Sequence, residues 1–542
     1  MMGGLTQRLG GAMIRCVRVL ASVLGLLAGT SGGAALAQKP GGILKIYTPD
    51  SPASMSILEE ATTYAVGPMM GVFNNLVLFD QSVKQNSLQS IVPDLATEWT
   101  WSENGTRLTF QLRKDVRWHD GQPFTAKDVV CTYDLLMDKA PEKLRTNPRF
   151  SVFKNLDHLT TNGDFEVTFH LKRPQPAFLM QISGGPGAVY PCHVSPERMR
   201  RQPIGTGPFK FVEYKQNQYI RVARNPNYWK PGRPYLDGIE YTIIKSVATG
   251  MMGFTSGTFD MVYPYSISIP VMKDAKRQAR SAICEVTPGT VNRHLLINRS
   301  IPPFDNRDVR MAMALSLDRQ AFIDILAEGQ GDIGAVLQPE PGGRWGAPPD
   351  LLKDLPGYGP DVKKNRQQGR SLMEKLGYGP GNRLKVKLTT RDLSLYRDPS
   401  VILLDQLKEV HIDGVVEPVE TAGYFPKLRR KDFTVSLNLQ TSGPDPDPIF
   451  DIFYGCGSSL NWDGYCNPEV DALIEQQSTE ADEQKRRTQV RALERKLAED
   501  AGRPIIFYAS AASCWQPAVK GFTPMVNSVF NSYRYEDIWL DR

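Results

Sequence analysis

Short runs in which apolar and polar residues alternate are interleaved along this chain with longer runs of helical period. Leu108, Phe110 and Leu112 are separated by single polar residues, as are Phe165, Val167, Phe169 and Leu171, which predicts two half-buried strands. Between them Lys127 to Met137 has helical character, and Ile43 to Tyr47 and Ile239 to Ile244 read as further strands. Arg307 to Ala327 gives Val309, Met313, Leu317 and Ile325 helical spacing with Arg310 outside that face. Val401 to Val410 and Val470 to Glu499 are also predicted helical, the last rich in alternating acids and bases. Strands and helices intermix, so α/β layering is expected and not a bundle or a sandwich.

Near the N-terminus the pattern changes. Arg8, Arg15 and Arg18 precede an apolar run from Val19 to Ala28, and small residues lead to Ala35-Leu36-Ala37. This is the pattern of a secretory signal cleaved before Gln38, since ten or so apolar residues fall short of the ~20 that span a bilayer. Cys16 lies before the run, which argues against lipid attachment. An exported protein follows, expected in the periplasm.

Composition then bounds the class. Without residues 1–37 the 542-residue chain keeps 505, too many for one core, and 41% hydrophobic with 23% charged residues suits a large globule. The formal charge of +6 falls to +3 when the three leader arginines are removed, and the remaining basic residues are dispersed. Nucleic-acid binding is therefore not expected. None of the six histidines lies within two to five residues of another, no CxxC occurs, and neither G-x-S-x-G nor G-x-x-x-x-G-K-[ST] is present. No catalytic residue, metal site or cofactor is expected, a hydrolase being the alternative class. Six cysteines remain after Cys16, and only Cys456 and Cys466 are close in sequence, bracketing a polar loop. Cys131, Cys192, Cys284 and Cys514 stay unassigned.

The most informative wording is Pro203-Ile204-Gly205-Thr206-Gly207-Pro208-Phe209. It is followed by Arg224-Asn225-Pro226-Asn227-Tyr228-Trp229 and Pro234-Tyr235-Leu236-Asp237-Gly238-Ile239. Two glycines and two prolines in seven residues impose a tight turn, and Phe209, Phe211 and Tyr214 leave it as a strand. Earlier come Pro93-Asp94-Leu95-Ala96 with Trp99, Trp118-His119-Asp120-Gly121 and Phe124-Thr125-Ala126-Lys127-Asp128-Val129. Later come Pro302-Pro303-Phe304-Asp305 with Val309-Arg310, Asp445-Pro446-Asp447, and Asn467-Pro468-Glu469-Val470-Asp471. Together these closely resemble the extracellular solute-binding proteins of the peptide, nickel and opine class of ABC importers.

The resemblance implies a two-lobed, venus-flytrap fold of the large peptide-binding type. Its first lobe would comprise 38–80, an inserted subdomain at 81–203, 204–285 and a returning tail at 509–542, with the second lobe at 286–508. Hinge crossings would lie near Val286 to Leu295 and Phe507 to Cys514. The same resemblance implies a Cys456–Cys466 bridge and no enzyme activity. Its peptide receptors grip the ligand's amino group with an aspartate shortly before Asp-Pro-Asp, where Ser442 stands in this chain, within Leu439-Gln440-Thr441-Ser442-Gly443-Pro444-Asp445. Asp445 is the substitute for that carboxylate, or else a cap. Gln440, Thr441 and Ser442 offer neutral donors and acceptors, Trp462 a stacking surface, and Arg391 or Arg397 the fork for a ligand carboxylate. The reading is a monomeric receptor that captures a small polar solute, a peptide first, and passes it to the membrane permease of an ABC importer. A non-peptide solute (opine, glycoside or metal chelate) and a sensor docking on a membrane receptor are the alternatives.

Overall fold

The computed structural model describes residues 38–542 apart from residue 341. The expected leader at 1–37 lies outside the described residues. Strand Ile43–Thr48 is central in a seven-stranded sheet ordered Ile283–Thr287, Ala511–Trp515, Met261–Val262, Ile43–Thr48, Gly238–Ile243, Tyr219–Arg224 and Phe209–Lys215. It runs parallel to both neighbours, Ile46 lying opposite Tyr241 and Met261. Such a strand is covered on both faces: Leu44 and Ile46 join the main core, while Tyr47 packs on the other side with Phe254 and Phe259.

A second sheet has the order Gly331–Asp332, Ile505–Ala509, Val291–Ile297, Val435–Thr441, Leu384–Arg391 and Ile412–Val419. Its last three strands are parallel and are joined through helices Ser394–Lys408 and Thr421–Arg429, the crossovers that parallel pairing requires. The described chain is thus a two-lobed α/β protein. Ala96–Ser102, Arg107–Leu112, Glu166–Leu171 and Leu156–Thr161 form a separate four-stranded sheet. Leu108, Phe110, Val167 and Phe169 alternate inward as their spacing predicts, and Tyr133 of helix Ala126–Leu136 meets Phe169 edge-on at 4.7 Å.

Two connections join the large sheets. Ile283–Thr287 passes through residues 288–290 into Val291–Ile297, and Ile505–Ala509 returns through Ser510 into Ala511–Trp515. The connections touch, because a Cβ at Gly289 would overlap the Ala509 carbonyl. Beside them Cys284 and Cys514 face each other in register and are disulfide-bonded, as are Cys131 with Cys192 and the expected pair Cys456 with Cys466.

Two helical expectations are corrected. The run 307–327 is broken into Arg307–Leu315 and Arg319–Ala327, because Asp318 caps the second helix by accepting the Ala321 N–H at 3.1 Å. The run 470–499 is likewise broken, Asp482 capping Glu483–Glu499. Arg310 is buried and not outside: its guanidinium donates to the carbonyls of Phe304 and Asp305, anchoring the preceding proline loop. The Gly205-Thr206-Gly207 turn is a packing device. Gly207 N–H donates to Val72 O at 2.9 Å, a Cβ at either glycine would strike the Val72 carbonyl group, and Thr206 donates to Asn74 at 3.0 Å.

Candidate functional site

A cavity of about 590 Å³ opens where the two parallel strands Leu384–Arg391 and Val435–Thr441 end, the place where α/β sheets present ligand sites. Its wall draws on both lobes. Residues 61–64 and 264–271 come from the side of the seven-stranded sheet, and Arg391, residues 394–396, Asp398, Pro399 and residues 438–441 from the other. Most of the lining is apolar or aromatic, including Phe425, Ile449, Phe453, Trp462 and Phe530. Gln440 and Thr441 line it, and the Gln440 amide, the Thr441 hydroxyl and the Trp462 indole N–H have no hydrogen-bond partner among the described residues. Each such group left unmatched costs about 1–3 kcal/mol, so the wall carries a polar demand.

Arg391 also lines the cavity, but its donors are engaged. It forms an ion pair with Asp50 of the opposite lobe, and donates to Thr421 Oγ1 at 2.9 and 3.1 Å and to Tyr396 Oη at 2.8 Å. Thr421 also donates to Asp50 at 2.7 Å, and the guanidinium lies 4.8 Å from the Tyr396 ring centroid and 5.3 Å from that of Phe425. Burial opposes the Arg391 charge; Tyr396 and Asp50 outweigh it and hold the pKa above the usual arginine value. The group bridges the lobes. Arg397 is on the surface, bonded to Asp392 at 3.1 Å and absent from the cavity wall.

Ser442 and Asp445 line a second cavity of about 440 Å³. The Ser442 N–H donates to Thr290 O at 2.6 Å. Both Asp445 oxygens accept from the Arg486 guanidinium at 2.7 Å, and the same arginine reaches Asp447 at 2.9 Å. Asp445 is therefore a buried structural partner, and its side chain also caps the Asp447 N–H. The six sequence candidates divide as Arg391, Gln440 and Thr441 on the large cavity, Ser442 and Asp445 on the small one, and Arg397 on neither.

Sequence reasoning missed two arginines. Arg293, on strand Val291–Ile297, lines the cavity with its guanidinium 5.0 Å from the Phe507 ring centroid. Its one hydrogen bond runs from Nη1 to Val291 O at 3.2 Å, and among the described residues it has no ion pair. Burial lowers its pKa to about 10, against the opposing pull of Tyr396 and Tyr265. Arg149 is similarly lowered to about 10 by burial, but donates to the carbonyls of Leu58 and Glu60 at 2.6 and 3.2 Å. A charged residue amid a run of buried aliphatics was the available signal, since arginine is rarely buried without a partner. Tyr265 was missed as well. It lines the cavity with positive φ (72°), and its hydroxyl accepts the Thr290 N–H at 2.9 Å, tying the wall to a lobe connection.

The family model for bacterial extracellular solute-binding proteins, family 5 middle region, matches residues 90–461. The oligopeptide-binding protein AppA of Bacillus subtilis is 25% identical over 490 residues, covering 86% of each chain. The peptide transport periplasmic protein SapA of Salmonella typhimurium is 26% identical, covering 79% of this chain and 82% of its own. Among solved structures, AppA bound to a nonapeptide superposes with a TM-score of 0.81 at 22% identity, covering 93% of this chain and all of the other. AgaA of A. tumefaciens bound to agropinic acid gives 0.78 at 20%, covering 92% and 99%.

Proposed function

The chain belongs to the bacterial extracellular solute-binding proteins of family 5, the receptors of ABC importers, and from that membership we propose that it works in the periplasm, closing its two lobes on one small solute and handing it to a membrane permease. The observation that carries this reading is the 590 Å³ cavity walled by both lobes, within the range of about 300–1,000 Å³ for sites that bury small ligands. Lobes joined by two short connections can part and close around such a space. Gln440, Thr441 and Trp462 face the solute, and the Arg391–Asp50 pair secures the closed form.

Peptides and peptide-like solutes are the first substrate class, in keeping with the peptide-binding relatives. A non-peptide solute is favoured by a different observation: Ser442 and Asp445 leave the large cavity without the expected amine-binding carboxylate. No catalytic role is assigned to any residue. Deleting the coding region and following uptake of the bound solute tests the proposal. Uptake should fall to background and return on complementation, whereas unchanged uptake with a lost cellular response would identify a sensor.

A further inference from the structure

The charged side chains on the wall of the large cavity are Arg149, Arg293, Arg391 and Asp398. Arg391 is neutralised by Asp50, and the terminal nitrogens of Arg149 are held by backbone carbonyls. Arg293 differs. It is 93% buried, rests on an aromatic ring and keeps one hydrogen bond, so most of its five N–H donors have no partner among the described residues. A buried cation of this kind requires an anion, and a planar fork suits a carboxylate.

No carboxylate on the wall is buried to receive an ammonium. Asp398, the one carboxylate on that wall, is solvent-exposed; partial burial raises its pKa, and the nearby Arg397 charge only opposes that rise. Asp445 is held on both oxygens by Arg486, on the other side of the strand end. A free amino terminus entering this cavity would lose its hydration without meeting a buried carboxylate. Most of the remaining wall, with Phe425, Trp462, Ile449 and Phe530, is apolar, and its polar groups, Gln440 and Thr441 among them, are uncharged.

We propose that the solute carries a carboxylate on an apolar body and no ammonium group, and that Arg293 receives the carboxylate. The proposal rests on the receptor reading above and names its substrate class. N-acylated peptides and aryl- or alkyl-carboxylates share this chemistry.

Titration calorimetry on the purified protein, with four probes, decides it. N-acetyl-Phe-Leu and 6-phenylhexanoate carry the anion without an ammonium; Phe-Leu adds the ammonium, and N-acetyl-Phe-Leu amide lacks the anion. At least one of the first two should bind about ten-fold or more tighter than either of the others, and the stronger of them identifies a peptide or an acyl source. Arg293→Gln should remove most of that preference and Arg293→Lys retain part of it. Equal or tighter binding of Phe-Leu or of the amide overturns the proposal, as does an unchanged preference in Arg293→Gln. Should that variant fail to fold, the carboxylate-to-amide comparison on the unaltered protein still decides. Binding of none of the four at millimolar concentration also overturns it; compaction on some other solute would then leave the receptor reading standing.

Discussion

Arg391 and Arg293 show how far single residues could be read from sequence. Arg391 stood out as a candidate fork for a ligand carboxylate, yet it ends a largely buried strand and its charge is matched by Asp50, a residue 341 positions away. Arg293 sits inside Val291–Ile297, a strand buried along its whole length, where a local pattern suggests core. Its unpaired state is a fact of the assembled structure. His119 in the Trp-His-Asp-Gly motif illustrates a legible motif with an illegible chemistry. Its Nδ1 accepts the Gly205 N–H at 3.2 Å and its Nε2 faces Gly207 O at 3.0 Å, which fixes the neutral ring, and burial lowers its pKa to about 4. The unfolded chain, with a value near 6.5, binds the proton first as pH falls. The His119 contribution is therefore complete above about pH 6.5 and lost toward pH 4, amounting to at most about 3 kcal/mol. Asp451 and Glu494, both raised to about 7 by burial, act in the opposite direction and are common to any variant. In urea unfolding between pH 4 and 6.5, the stability of the unaltered protein relative to His119→Gln should decrease as pH falls, by up to about 1.4 kcal/mol per pH unit. Parallel curves would refute this assignment.

At the scale of elements, strands with period-two alternation were legible because one face of each is buried and the other is solvated, as in Arg107–Leu112 and Glu166–Leu171. The helix breaks at 316–318 and 480–482 were not, since apolar spacing continued across both while the caps Asp318 and Asp482 looked like ordinary polar residues. The Cys456–Cys466 pairing was accessible because the two lie ten residues apart. Cys284 and Cys514, separated by 230 residues, are brought together only by strand pairing beside the lobe connections. At those connections Gly289 has no room for a Cβ. Gly289→Ala must therefore push the two connecting segments apart, and should lower stability by about 1–3 kcal/mol in urea unfolding. A change under about 0.5 kcal/mol would show that the contact is not tight.

On the scale of the whole molecule, the α/β class followed from intermixed periodicities, whereas the two-lobed arrangement followed from resemblance, because no local pattern states that a chain leaves one sheet at 287 and returns to it at 511. The cavity belongs to the same category: its walls come from segments hundreds of residues apart. Closure around a solute is the central claim, and small-angle scattering tests it most directly. The protein would be measured alone and then with the solute that raises its melting temperature most in a screen of peptides and N-acylated peptides, held at about 100 times its Kd, where binding adds about 2.7 kcal/mol of stability. The radius of gyration should fall on binding toward about 23 Å, the value for a compact chain of this length. Superimposable scattering curves with and without the bound solute would contradict the account.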